Sequence, residues 1–172
     1  MSFKNTNFHN IITDYSVPRR RFHYLLIASG NEKINGFKHE FAFLQSLGAR
    51  LRGAKQQVSM VTKKKITRSD IVKHFDQDNT QLIVLFSGHG GGGRISLSTK
   101  ESFDIAEFPE DTILFTSSCD PFARANRQET RQKNITVIGE KSGIRYNERS
   151  KTLEGVFSDL MSEKDHVCYQ VR

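Results

Sequence analysis

The sequence predicts an α/β domain with a mostly parallel central sheet flanked by helices. Three observations predict it. Short runs of Leu, Ile, Val and Phe recur along the chain, amphipathic helical stretches separate them, and the most apolar run, residues 82–86, shows no polar alternation. A run of that kind suits a parallel strand covered on both faces, and strands alternating with helices point to a parallel sheet.

The elements follow in order. Residues 1–21 are polar and irregular and read as an arm laid over the domain, leaving residues 22–172 as a single domain. Residues 22–28 are aromatic and aliphatic, then broken by Ser29, Gly30 and Asn31, which reads as a buried strand. Phe37, Phe41, Leu44 and Leu51 recur at helical spacing, with Phe43 and Leu47 widening the stripe into one face of an amphipathic helix. Residues 58–61 form a second strand. Thr67 is placed as a helix N-cap, with Asp70 at the third helical position and Ile66 facing Ile71 as a hydrophobic staple. The helix so started carries Ile71, Val72 and Phe75 and stops in the polar run 76–80.

Residues 82–86 make the third strand, which runs into Ser87, Gly88, His89 and four further glycines, Gly90 to Gly93. A short strand-like piece (94–98) and a small amphipathic piece (103–108) precede a fourth main strand, 112–116, which runs into Ser117, Ser118, Cys119 and Asp120. A fifth, 135–138, is closed by Gly139. The last helix carries Leu153, Val156, Phe157, Leu160 and Met161 on one face, and residues 166–171 are read as an edge strand.

Composition narrows the function classes. Hydrophobic residues make up 36% of the 172 positions, enough for a core and too many for a wholly disordered chain. No apolar run approaches the ~20 residues of a membrane helix, and the first ten residues lack the apolar stretch of a secretory signal, so a cytoplasmic protein is expected. The net charge of +7 favours contact with a polyanion such as nucleic acid. That charge is dispersed, with short knots at Arg19, Arg20 and Arg21 and at Lys63, Lys64 and Lys65, so a solvated surface accounts for most of it. The two cysteines, Cys119 and Cys168, and the histidines His9, His23, His39, His74 and His166 show no metal spacing. No metal or cofactor is expected.

Sites in open α/β sheets form outside the carboxyl ends of the strands. His89 and Cys119 follow two such ends. If their strands are parallel neighbours, ~4.8 Å apart, the two side chains converge at one rim. A cysteine nucleophile acts as thiolate, and a neighbouring imidazole stabilises it or moves its proton. The flanking glycines let a substrate backbone approach, and the amides of Gly90 and Cys119 are the natural pair to hold an oxyanion.

The blocks Leu82-Ile-Val-Leu-Phe-Ser-Gly-His-Gly90 and Thr112-Ile-Leu-Phe-Thr-Ser-Ser-Cys119 resemble the caspase-like (clan CD) cysteine peptidases, which include caspases, metacaspases, legumain, gingipains, CHAT-type proteases and toxin autoprocessing domains. The shared pattern is an apolar strand ending in His-Gly, then an apolar strand ending in a small residue and Cys. The resemblance extends over roughly residues 22–162 in element order, and only the two blocks are specific. It implies a three-layer sandwich and a peptide-bond hydrolase with His89 as general acid/base and Cys119 as nucleophile. The spacing of 30 residues between them is short for that group. Caspases carry Gln-Ala-Cys, and basic-specific members often have an acid two residues before the nucleophile, where this chain has Ser117. Ser117, Asp120 and Glu140 are the candidates for substrate contact. A basic P1 residue would call on Asp120, Glu140 or Glu32, and an acidic one on Lys33, Arg124, Lys141 or Arg145. Autoprocessing relatives are switched on by inositol hexakisphosphate at a basic surface, with which +7 is compatible. Arg19, Arg20 and Arg21 form a conceivable processing site.

Other chemistries fit less well. A cysteine phosphatase needs Arg six positions after the cysteine, and Arg124 is five positions on. No Gly-x-Ser-x-Gly elbow is present, and the glycine run lacks the Lys-Ser/Thr of a phosphate loop. A Cys119–Cys168 disulfide is a further alternative. The serious rival is a non-enzymatic one, an inactive caspase-like or flavodoxin-like basic module that binds a protein or a polyanion.

Overall fold

The computed structural model describes residues 21–30, 35–62, 65–75, 80–97, 101–118, 127–140 and 169–171. Residues 1–20 of the expected N-terminal arm, the helix expected around 153–161, and Glu32, Lys33, Lys63, Lys64, Cys119, Asp120, Arg124, Lys141, Arg145 and Cys168 lie outside the described residues, and Arg21 opens the first strand.

The chain alternates strands and helices as its pattern predicts. In order come β1 (Arg21–Ala28), α1 (Asn35–Gly53), β2 (Gln57–Val61), α2 (Arg68–Val72) and β3 (Thr80–Ser87). Three short strands follow, β4 (Gly90–Gly91), β5 (Arg94–Ser96) and β6 (Ser102–Asp104), then a 3-10 turn at Ile105–Glu107. The described chain is completed by β7 (Ile113–Thr116), α3 (Arg127–Gln132), β8 (Thr136–Glu140) and β9 (Tyr169–Val171).

The main sheet has the order β2-β1-β3-β7-β8-β9. The first five strands are mutually parallel and β9 joins β8 antiparallel. β3 is an inner strand, paired along eight residues with β1 and along Ile83–Phe86 with β7. Its composition explains that place. Leu82, Val84 and Phe86 pack into one apolar cluster and Ile83 and Leu85 into another on the opposite face, so neither face meets water. Each such side chain, fully buried, contributes roughly 1.5–3 kcal/mol.

Two layers cover the sheet. On one face α1 lays Phe43, Leu44 and Leu47 against Leu26, Ile83, Leu85, Ile113 and Phe115. On the other, Ile66 and Ile71 around α2 pack with Ile95, Phe103, Ile105 and Phe108 from the small antiparallel sheet β4-β5-β6 and the turn after it. Helix, sheet and a mixed outer layer give the expected α/β sandwich.

Several local expectations hold and some shift. Thr67 caps α2 in extended geometry, and the Asp70 carboxylate accepts from the Thr67 amide at 3.0 Å and its hydroxyl at 2.9 Å. Ile66 and Ile71 are both buried in one cluster. The amphipathic piece at 103–108 is strand followed by 3-10 turn, because Phe103, Ile105 and Phe108 are spaced two and three apart and suit neither a full strand nor a full helix. The fifth main strand runs on through Gly139 and Glu140, where β9 supplies a partner. On α1 the buried line is Phe37, Glu40, Leu44 and Leu47, and Phe41 is only half-buried. No helix among the described residues is long and apolar enough to cross a membrane.

Candidate active site

The two chemistry-bearing strand ends are neighbours. Phe86 of β3 pairs with Thr116 of β7, and His89 and Cys119 each follow three residues beyond that pair. The Ser117 amide extends the contact by donating to the Phe86 carbonyl at 3.3 Å.

Beyond β3 the chain is shaped by close packing. A Cβ on Gly88 would stand 2.7 Å from the Phe86 ring and 3.1 Å from Ser29 Cβ, which excludes a larger residue. His89 itself is exposed. Its ring meets Phe37 of α1 edge-on, with centroids 5.1 Å apart and planes at 74°. Phe37 is 2% exposed and fits only because position 30 is glycine, where a Cβ would lie 2.1 Å from the Phe37 ring.

The small sheet fixes the backbone from the His89 carbonyl onward. The Ser96 amide donates to the His89 carbonyl at 2.8 Å. That bond makes Gly90 and Ile95 a non-hydrogen-bonded pair of the antiparallel ladder, so the Gly90 amide points away from β5. Ser29 ties the small sheet to the main one: its amide donates to the Ser87 carbonyl at 2.8 Å, and its hydroxyl reaches the Ser96 and Leu97 carbonyls.

The glycine after His89 touches the end of β7. A Cβ on Gly90 would lie 2.7 Å from Ser118 Cβ and 2.6 Å from the Arg94 carbonyl oxygen. Ser118 is fully buried and fixed by Thr116, whose hydroxyl accepts from the Ser118 amide at 3.0 Å and donates to Ser118 Oγ at 2.8 Å. The residue preceding Cys119 is thereby held against the residue following His89.

Ser117, a candidate for substrate contact, is fully buried. Its hydroxyl donates to Glu40 Oε2 at 3.0 Å, and the Ser87 hydroxyl donates to the same oxygen. Glu140, another such candidate, closes β8 opposite Tyr169 of β9, two strands away from β3. Glu40 was not singled out by sequence reasoning. The available signal was its spacing: it stands three residues after Phe37 and four before Leu44, on the apolar stripe itself. It is 1% exposed.

His39 is exposed; His23 is buried, and its Nε2 is 2.9 Å from Ser59 Oγ. Burial and the neighbouring His74 push the His23 pKa below its ordinary value, while burial and Lys73 do the same to His74. Their rings meet edge-on at 5.8 Å.

The chain matches no model of a known protein family, and no curated protein matches it.

Proposed function

We propose that the protein is a cysteine endopeptidase in which Cys119 is the nucleophile and His89 the general acid and base. The observation that carries this reading is the packing of Gly90 against Ser118, which brings the chain after β3 and the chain after β7 together at the carboxyl edge of two parallel neighbours. The exposure of His89 and the outward-turned Gly90 amide also support it.

In the proposed reaction His89 takes the Cys119 thiol proton, and the thiolate attacks the scissile carbonyl carbon. The Gly90 and Cys119 amides hold the oxyanion. His89 then gives the proton to the departing amine, leaving an acyl-enzyme. Water, deprotonated by His89, releases the acid product and restores the thiol. The substrate is a polypeptide, with Asp120 and Glu140 as candidates for shaping its recognition, while Ser117 is fully buried and its hydroxyl is taken up by Glu40. The working compartment under this reading is the cytoplasm, where thiols stay reduced.

The test is selective alkylation. Iodoacetamide or a peptidyl chloromethyl ketone should label Cys119 far faster than Cys168, and a peptide library should be cleaved by wild type and spared by Cys119→Ala and His89→Ala. Equal, slow labelling of the two cysteines with no cleavage would sink the proposal.

The charge of +7 favours a second reading, a catalytically silent basic module that binds nucleic acid or an inositol phosphate. A salt-sensitive gel shift unaltered by Cys119→Ala, with no thiol activation, would support it.

A further inference from the structure

The serine two residues before His89 and the serine two residues before Cys119 share one acceptor. Ser87 Oγ and Ser117 Oγ both donate to Oε2 of Glu40, a carboxylate 1% exposed in the first turns of α1. The same helix, one turn earlier, supports the His89 ring through Phe37. The paired register of β3 with β7 stops at Phe86 and Thr116, and past it a single backbone bond, from the Ser117 amide to the Phe86 carbonyl at 3.3 Å, joins the two strand ends.

The geometry points to Glu40 as a positioning residue for the site, a role that rests on the peptidase reading. Its carboxylate clamps the two strand ends at a fixed separation, and the residues that follow inherit that spacing. A carboxyl group held this far from water is a costly way to gain stability, because burying a polar group carries a desolvation penalty that its hydrogen bonds only offset. Alignment is what it supplies here, through two hydroxyl donors reaching one oxygen from two different strands.

The test compares wild type with Glu40→Leu and Glu40→Gln, reading iodoacetamide alkylation of Cys119 across pH together with the melting temperature. Glu40→Leu should stay folded while Cys119 alkylation slows on the order of ten- to a hundredfold, the size of effect that a misplacement of about 1 Å produces. The pH midpoint of alkylation should move up toward ~8.5, the value of an unassisted thiol. Glu40→Gln keeps an acceptor oxygen and should recover part of the rate. Should Glu40→Leu fail to fold, Ser117→Ala removes one arm of the clamp and should give a smaller shift in the same direction. A folded variant with an unchanged rate and midpoint overturns the role of Glu40 alone. So does a rate that falls only in step with the fraction unfolded. Wild-type Cys119 reacting no faster than Cys168 would remove the dyad, and the clamp's purpose with it.

Discussion

Gly90 and Ser118 are in contact so close that the glycine cannot be enlarged: a methyl there would lie 2.7 Å from Ser118 Cβ and 2.6 Å from the Arg94 carbonyl. Both obstacles are fixed, one by the Thr116 hydroxyl and the other by the β4-β5 ladder. Gly90→Ala is therefore expected to destabilise the fold by about 1–3 kcal/mol, the usual cost of overpacking. It should also slow Cys119 alkylation by more than the stability loss explains. Urea unfolding and timed alkylation check the two effects separately, and wild-type values for both would show that the contact is slack.

Phe37 links core and site. It is 2% exposed and meets the His89 ring edge-on, so Phe37→Ala removes packing and a ring support together. The expected loss is about 3–5 kcal/mol in chemical denaturation. Gly30→Ala should reproduce much of it, because its Cβ would displace the same ring. A cost for Phe37→Ala below about 1 kcal/mol would mean that the ring packs loosely.

His23 and His74 predict the response to acid. Burial lowers both pKa values, with the charge of His74 adding to it at His23 and that of Lys73 adding to it at His74. The unfolded chain then binds more protons than the folded one as pH falls below ~6.5, and stability rises with pH through that window. Urea midpoints should drop between pH 7.5 and pH 5 and be flat above pH 7.5 as far as these residues are concerned. His74→Gln should shallow the slope. An unchanged slope would assign the acid sensitivity to other groups.

Asp70 holds the start of α2, accepting from the Thr67 amide and hydroxyl and lying 3.6 Å from Lys73 Nζ. Asp70→Ala should cost about 1 kcal/mol, as lost caps do, and Asp70→Asn less because an acceptor survives. Thermal melts of the two variants test the order.

Much of this architecture is legible in the chain. The apolar run at 82–86 has no polar alternation, and the structure answers with a strand covered on both faces. Thr67 and Asp70 carry a cap signature that depends only on local chemistry, so it survives tertiary context. The adjacency of the His89 and Cys119 strand ends was an inference from strand order, and β3 and β7 are parallel neighbours. Glu40 was hidden for a physical reason. A carboxylate on a helix reads as solvent-facing until the two serine hydroxyls that receive it are known, and they come from strands 47 and 77 positions away. The piece at 103–108 was ambiguous because its apolar spacing switches period partway through.

The central position of β3 has a cost during folding. Its flanks belong to chain segments far apart in sequence, β1 ending at Ala28 and β7 starting at Ile113. Assembly must close long loops before this strand is covered, and folds dominated by such non-local pairing form slowly. Until then a stretch of five consecutive aliphatic and aromatic residues, without a charge or proline to interrupt it, faces water and other chains. Refolding at high concentration should accordingly lose material to aggregates, and a lysine placed within that stretch would relieve the aggregation only by forfeiting the native sheet.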